Sequence, residues 1–205
     1  MENILIFDYD GVIVDSIQLF MKYFLEACRI ENVNGIKTKD DFLKIFEGNM
    51  YESLRDIGLS SEKIHRVVSM VKDNLLKTHY KMNLFPGIKE VLEVLSRKHI
   101  LVVITSNDST VVKDFFKLKD LKVFREVYGS QHGESKVEKI NSIKERYVGG
   151  NYFYIGDTTG DIREGKKAGA STIAVTWGWH PEYKLRKEKP TYLVHSPQEL
   201  LNIFS

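Results

Sequence analysis

Residues 4–11, Ile-Leu-Ile-Phe-Asp-Tyr-Asp-Gly, join an apolar run to two carboxylates and a glycine. The four apolar residues are typical of a buried β-strand, and Gly11 allows the chain to turn sharply after it. Asp8 and Asp10 are two positions apart, so in an extended chain their side chains point the same way. Because an unpaired carboxylate is costly to bury, the pair predicts a bound cation or a reaction centre. The competing interpretation is a sequence that only opens a turn.

The composition sets limits on the class of protein and its partners. A chain of 205 residues with 42% hydrophobic residues is long enough for one complete core and a smaller second domain. The formal charge is +2 and the basic residues are scattered, so we expect no nucleic-acid partner. No apolar segment approaches the roughly 20 residues that span a bilayer, so we expect no membrane association. The single cysteine, Cys28, excludes an intrachain disulfide and favours a cytoplasmic location.

Residues 17–80 show only helical periodicity, with no evident strand. Thr38 and Asn49 are residue types that favour the N-cap position of a helix. The pattern predicts four helices, near 17–30, near 39–47, near 50–57 and along the apolar stripe from Ile64 to Leu75.

From residue 86 onward, helices alternate with short β-rich runs. The predicted strands lie near 100–105, 127–128, 152–155, 172–176 and 192–194. The predicted helices begin at Pro86, span 109–118, 136–147 and 161–168, and end with one that starts at Ser196 and Pro197. This alternation predicts an α/β fold, a doubly wound parallel sheet with a small all-helical domain inserted after the first strand. We expect residues 1–16 and 84–205 to form the α/β core and residues 17–83 to form the helical cap.

Polar side chains also follow two further predicted strands or open a helix beside them. Thr105 and Ser106 end the second strand, Asp157 and Asp161 lie in a glycine-rich turn after the fourth, and Lys136 opens a helix. Ligands of doubly wound sheets bind beyond the carboxyl ends of the strands, so these side chains are expected to share one site. Each also has a simpler interpretation, as a capping residue, an Asx turn or a solvated surface charge.

Over nearly its whole length the chain resembles the haloacid dehalogenase superfamily, specifically its phosphoglycolate phosphatase-like branch with a helical (C1-type) cap. The resemblance is carried by four motifs in order: Asp8-Tyr9-Asp10-Gly11-Val12, Thr105, Lys136 and the run from Gly156 to Asp161. The runs at 85–87, 167–170 and 176–178 also resemble this branch. The resemblance implies a Rossmann-like core and a Mg²⁺-dependent phosphatase acting on a small phosphate ester, with phosphoglycolate as the leading guess.

Hydrolysis of a phosphate dianion requires that its charge be neutralised, and Mg²⁺ does this when carboxylates and other hard oxygens hold it. Asp8 and Asp157 suit the role of metal ligands. The backbone carbonyl of Asp10 is expected to add a third oxygen, and Asp161 is expected to orient a water on the metal.

The remaining roles concern the phosphoryl group itself. Asp8 is expected to attack phosphorus and form an aspartyl-phosphate. Asp10 is expected to protonate the leaving oxygen and then to deprotonate the hydrolytic water. The Thr105 hydroxyl, the Ser106 amide and the Lys136 ammonium are expected to hold the phosphoryl oxygens.

Other functions remain open at this level. Dehalogenases of the superfamily lack the second aspartate, so Asp10 favours phosphoryl transfer. The sugar phosphomutase branch usually has a lysine before the cap glycine and an arginine three residues beyond it, where this chain has Glu47 and Tyr51. A catalytically inactive relative that binds a phosphorylated ligand remains a third alternative. A receiver-type signalling domain, which also uses strand-end acids and a lysine, is disfavoured by the helical insertion and by Asp10.

Overall fold

Eight β-strands and ten α-helices make up residues 2–133 and 135–204, the part of the chain that the computed structural model describes. The strands are β1 (Asn3–Phe7), β2 (Val14–Asp15), β3 (Asn83–Leu84), β4 (Ile100–Ile104), β5 (Glu126–Tyr128), β6 (Asn151–Gly156), β7 (Ser171–Val175) and β8 (Tyr192–Val194). Six of them form one parallel sheet in the order β5-β4-β1-β6-β7-β8. The predicted doubly wound α/β fold is confirmed.

The helices divide into a group inserted between β2 and β3 and a group that alternates with the strands. The inserted helices are α1 (Ile17–Ile30), α2 (Lys39–Ile45), α3 (Met50–Asp56) and α4 (Ser61–Thr78). The others are α5 (Ile88–Leu95), α6 (Ser109–Leu118), α7 (Lys136–Arg146), α8 (Thr159–Lys167), α9 (Glu182–Lys187) and α10 (Glu199–Ile203). None of the described helices is both long enough and apolar enough to cross a membrane.

Strand β1 lies at the centre of the sheet, between β4 and β6. Leu5, Ile6 and Phe7 are completely buried because helices cover both faces of the sheet. The order of the strands reverses at β1, since β4 and β5 lie on one side of it and β6, β7 and β8 on the other. The carboxyl end of β1, where Asp8 follows, is therefore the switch point at which such sheets bind ligands.

Strands β2 and β3 are the two segments that connect the inserted helices to the rest of the chain, and they pair with each other. Val14 pairs with Leu84 and Asp15 pairs with Asn83 in a short antiparallel ladder. These two strands could not be predicted from the sequence, because a two-residue run has no periodicity. The assignment of residues 17–83 to a separate cap domain stays a prediction.

Two helices near the carboxyl end of the chain differ from the sequence prediction. Helix α9 was missed, since it has six residues and only Leu185 of these is buried. Helix α10 begins at Glu199 instead of at Ser196 and Pro197. The Ser196 hydroxyl does donate to Glu199 Oε1 at 3.2 Å, but it does so within a turn that precedes the helix.

A cluster of aromatic rings forms the core of the inserted helices and joins them to the α/β part. Phe42 is completely buried, with its ring centroid 5.5 Å from that of Phe24 and 5.3 Å from that of Trp179. Phe42→Ala is expected to lower the free energy of unfolding by about 3–5 kcal/mol, because it leaves a cavity that neighbours fill only in part. Urea denaturation measures the change.

The control for that variant is Tyr80→Ala, which truncates a ring that is 56% exposed. It is expected to change the free energy of unfolding by less than about 1 kcal/mol. Equal effects of the two truncations would contradict the assignment of Phe42 to the core.

Candidate active site

The Lys136 ammonium joins two of the predicted site residues. Its Nζ donates to Asp8 Oδ2 at 2.7 Å and to Asp161 Oδ1 at 2.6 Å, and all three side chains are buried. Asp8 directly follows β1, Lys136 opens α7, and Asp161 lies in the first turn of α8. Three segments that are far apart in the sequence therefore meet at one buried charge.

Asp157 completes a cluster of carboxylates. One carboxylate oxygen from each of Asp8, Asp157 and Asp161 lies within 4.8 Å of the others. Asp157 Oδ2 accepts a hydrogen bond from the Trp179 backbone N–H at 2.6 Å. A Cβ atom at either Gly11 or Gly178 would overlap the Asp157 side chain, so both glycines are needed where the chain passes this carboxylate. At Gly11 the backbone φ is also +78°, which favours glycine.

The electrostatics of the cluster show an excess of negative charge. Burial raises the pKa of Asp8 to about 7, although the Lys136 charge opposes this. Burial raises the pKa of Asp157 well above its usual range, and the charges of Asp161 and Asp8 add to the rise. Burial also acts to raise the pKa of Asp161, but the charge and hydrogen bond of Lys136 outweigh it and leave this pKa below its usual value. Three carboxylates thus face one ammonium, an arrangement that a divalent cation would neutralise.

The residues present fit a Mg²⁺ ion. Asp157 Oδ1 is buried and has no hydrogen-bond partner among the described residues, which leaves this oxygen available as a ligand. Carboxylate oxygens are the donors that Mg²⁺ prefers, and the predicted ligands Asp8 and Asp157 both belong to the cluster. The role of the Asp10 backbone carbonyl as a third ligand stays a prediction.

Asp161 has structural roles in addition to its predicted role of orienting a metal-bound water. Its Oδ2 accepts from the Thr158 backbone N–H at 3.0 Å and from the Thr158 hydroxyl at 2.7 Å, which forms a capping box at the start of α8. Its Oδ1 accepts from Lys136 and from the Tyr154 hydroxyl at 2.7 Å. Asp161 therefore caps a helix and orients Lys136, while its predicted role on a metal-bound water stays a prediction.

A single cavity is lined by the predicted residues. Its lining includes Asp8, Asp10, Thr105, Ser106, Lys136 and Asp157. Asp10 is buried, and its Oδ1 has no hydrogen-bond partner among the described residues. Burial raises the pKa of Asp10 to about 6, while the Ser16 hydroxyl, the Lys136 charge and the Asn107 amide act in the opposite direction.

Two residues that support the loop after β4 were not predicted from the sequence. The Asn107 backbone N–H donates to the Thr105 hydroxyl oxygen at 3.0 Å. The Lys139 ammonium donates to the Thr105 carbonyl at 2.8 Å, and burial followed by the Lys136 charge lowers the pKa of Lys139 to about 8. Lys139 lies three residues after Lys136, so the helical spacing i, i+3 is the signal that would have identified it.

The inserted helices cover the cavity through the loop after α2. The Gly160 backbone N–H donates to the Phe46 carbonyl at 3.3 Å, and Lys184 forms a 2.6 Å ion pair with Glu47. His180 lies between the two parts: its Nδ1 accepts from the Thr159 backbone N–H at 3.0 Å, and its Nε2 lies 3.0 Å from the Leu43 carbonyl. Burial lowers the pKa of His180, which favours the neutral ring, and the ring links the two parts through these contacts.

Comparisons with known proteins identify the class to which this fold and site belong. The profile of the haloacid dehalogenase-like hydrolases matches residues 5–175, so the chain belongs to that family. The predicted family and the predicted class of enzyme, a hydrolase, are confirmed.

Individual relatives match over nearly the full chain. A phosphoglycolate phosphatase of Synechococcus elongatus is 26% identical over 96% of this chain and 94% of its own length. A pyrophosphatase of Listeria welshimeri is 25% identical over 97% of this chain and 94% of its own length. A solved haloacid dehalogenase-like hydrolase from Streptococcus pneumoniae has 27% identity and a TM-score of 0.81, with 100% of this chain and 99% of that chain covered.

The charge balance of the cluster yields a prediction for Asp157→Asn. Because the folded-state pKa of Asp157 is raised, its ionised form opposes folding at neutral pH, and removing the charge is expected to raise the melting temperature of the metal-free protein. Asn keeps an acceptor for the Trp179 N–H. The variant is also expected to lose the rise in melting temperature that Mg²⁺ produces in the wild type. Calorimetry with EDTA and with Mg²⁺ measures both effects.

Asp120→Asn is the matched control, since Asp120 is an exposed carboxylate paired with Lys122. It is expected to leave the Mg²⁺-dependent shift intact. If Mg²⁺ stabilised Asp157→Asn as much as the wild type, Asp157 would not be a ligand.

Proposed function

We propose that this protein is a Mg²⁺-dependent phosphatase that hydrolyses a small phosphorylated metabolite through an aspartyl-phosphate on Asp8. The observation that carries the proposal is the meeting of Asp8, Lys136 and Asp157 in one buried cluster that lines the same cavity as Asp10. Phosphatases among the relatives support the reaction class. The proposed partner is a small phosphate ester, and the proposed location is the cytoplasm.

Asp8 is held in position for attack on phosphorus. Its Oδ1 accepts from the Tyr9 backbone N–H at 2.8 Å, and its Oδ2 accepts from Lys136. These two hydrogen bonds fix the plane of the carboxylate, and the ammonium favours its ionised form. When bound, Mg²⁺ supplies the charge neutralisation that allows an anionic nucleophile to approach a phosphate dianion.

The reaction then proceeds in two halves. In the first, an Asp8 oxygen forms a bond to phosphorus, the bond from phosphorus to the leaving oxygen breaks, and Asp10 donates a proton to that oxygen. In the second, Asp10 takes a proton from water, the water oxygen attacks phosphorus, and the bond to Asp8 breaks to release inorganic phosphate. Thr105, Ser106 and Lys136 hold the phosphoryl oxygens through both halves.

A sugar phosphomutase would use the same aspartates but return the phosphoryl group to its substrate. The sugar phosphomutase branch usually has a lysine immediately before the cap glycine. This chain has Glu47 there, and the Glu47 side chain forms an ion pair with Lys184 on α9. The alternative of an inactive phospho-ligand-binding relative is disfavoured because the residues of all four motifs are present and brought together.

The central test is release of inorganic phosphate from a panel of small phosphate esters in the presence of Mg²⁺. The wild type is expected to release phosphate, and Asp8→Asn is expected to abolish it because Asn cannot form the phosphoenzyme. EDTA is expected to abolish it as well. Asp114→Asn, a change at an exposed acid on α6, is the control that should retain activity. Turnover that survives both Asp8→Asn and EDTA would contradict the mechanism.

Asp10→Asn separates the two halves of the reaction. With an alkyl phosphate, the variant is expected to lose about 10²–10⁴-fold in kcat, because no group protonates the leaving oxygen. With p-nitrophenyl phosphate, whose leaving group needs no proton, it is expected to release one equivalent of nitrophenolate in a burst, followed by slow turnover. Stopped-flow absorbance measures the burst. Equal slowing for both substrates without a burst would argue against an acid-base role.

A further inference from the structure

Lys139 is a buried cation that none of the proposed catalytic steps uses. It is 1% exposed, and its Nζ donates to the Thr105 backbone carbonyl at 2.8 Å. Among the described residues it forms no ion pair. A buried charge is costly unless an opposite charge or several hydrogen bonds compensate it. A contact that only tied α7 to the loop after β4 would not require a charge, so the ammonium indicates a further role.

The contact fixes the orientation of the peptide unit between Thr105 and Ser106. A trans peptide unit is planar, and its carbonyl and N–H point in opposite directions. The described residues contain no cis peptide bond, so a carbonyl held by Lys139 directs the Ser106 N–H away from that ammonium. Ser106 lines the catalytic cavity, and its N–H donates to none of the described residues. This N–H is therefore available to a ligand.

The Thr105 hydroxyl is oriented by the same loop. Its oxygen accepts from the Asn107 backbone N–H at 3.0 Å, which leaves its own hydrogen free to be donated. Thr105, Ser106 and Lys136 line one cavity. Lys139 lies about one helical turn after Lys136 on α7, so one helix supplies an ammonium to the cavity and a second ammonium behind the loop.

The charge on Lys139 also strengthens the donor on the other side of the peptide unit. A cation at a carbonyl oxygen polarises the whole unit and makes its N–H a stronger donor, particularly where the surroundings exclude water. Burial, followed by the Lys136 charge, lowers the pKa of Lys139 to about 8, so the group is mainly protonated at neutral pH.

We propose that Lys139 is a positioning residue that aims the Ser106 N–H at the phosphoryl group and polarises it, without itself touching the substrate. The inference rests on the proposed phosphatase function. Preorganised donors bind the transferring phosphoryl group more strongly in the transition state than in the bound substrate. Lys139 therefore acts on kcat more than on KM.

Lys139→Met tests this role in the full-length protein, because it removes the ammonium and keeps an unbranched side chain. With Mg²⁺, kcat is expected to fall at least about tenfold and KM to change less than about threefold. The loss is expected for an alkyl phosphate and for p-nitrophenyl phosphate alike, since the two share the phosphoryl group and differ only in the leaving group.

Thermal melting separates positioning from a purely structural role. The pKa of Lys139 is lowered in the folded state, so its charged form opposes folding at neutral pH. Lys139→Met is therefore expected to melt at the wild-type temperature or above it. A residue needed only for packing would instead lower the melting temperature when replaced.

Lys144→Met is the matched control. Lys144 lies on the same helix, and its Nζ also donates to a backbone carbonyl, that of Ala168 at 2.9 Å. Ala168 follows α8 and is not part of the lining of the catalytic cavity. This variant is expected to leave both kcat and KM unchanged.

Amide NMR tests the orientation without turnover. Beryllofluoride with Mg²⁺ mimics a phosphoryl group on an aspartate, and the wild-type Ser106 amide proton is expected to shift downfield when it gains this anionic acceptor. The shift is expected to be at most about half as large in Lys139→Met, because the peptide unit is no longer held or polarised. The Tyr9 N–H donates to Asp8 Oδ1, so its amide signal reports whether the mimic has bound.

The outcomes separate this inference from the proposed function. Full activity of Lys139→Met overturns the inference, and so does a wild-type Ser106 amide that stays in place while that of Tyr9 shifts. Loss of activity also overturns it if the variant melts well below the wild type, or if the Ser106 shift survives in the variant. A wild type that hydrolyses no ester and shows no shift at Tyr9 overturns the proposed function itself.

Discussion

The contact of the Lys136 ammonium with Asp8 and Asp161 is the interaction on which the site depends. Pairing of β1 with β6 brings the loops that follow them together, and a cation between their buried carboxylates lowers the cost of the repulsion and lost hydration that results. Lys136 supplies one positive charge for three carboxylates, and burial together with the charges of Asp161 and Asp8 raises the pKa of Asp157. The folded chain therefore has more buried negative than positive charge at the carboxyl end of β1. A divalent cation would neutralise this excess, which is why one is part of the proposed chemistry.

Local backbone features keep this arrangement compact. Gly11 and Gly178 leave room for the Asp157 side chain from two directions, and Gly160 allows the α8 N-terminus to approach the backbone of the loop after α2. Asp161 uses one carboxylate oxygen for the capping box of α8 and the other to accept from Lys136. The same residue therefore fixes the start of α8 and positions the Lys136 ammonium. Because these constraints are shared, a change at any one of these positions disturbs both the local fold and the site.

The sequence was sufficient to predict the sheet and to nominate the candidate catalytic residues, because these signals are local. A buried strand followed by acids, as at Asp8, can be recognised within a few residues, and a parallel sheet places the carboxyl ends of its strands at one edge. Contacts between distant segments could not be predicted in this way. The pairing of Lys72 with Asp108 depends on how α4 packs over the loop after β4, and the unpartnered amide of Asn107 becomes visible only when the surrounding atoms are placed.

This division separates the chemistry from the choice of substrate. The proposed nucleophile, acid and metal ligands all lie on loops of the central sheet, whereas Phe20 and Phe46, which line the same cavity, belong to the inserted segment. Similarity to relatives that act on different phosphate compounds therefore does not determine the substrate, since catalysis and recognition depend on different segments.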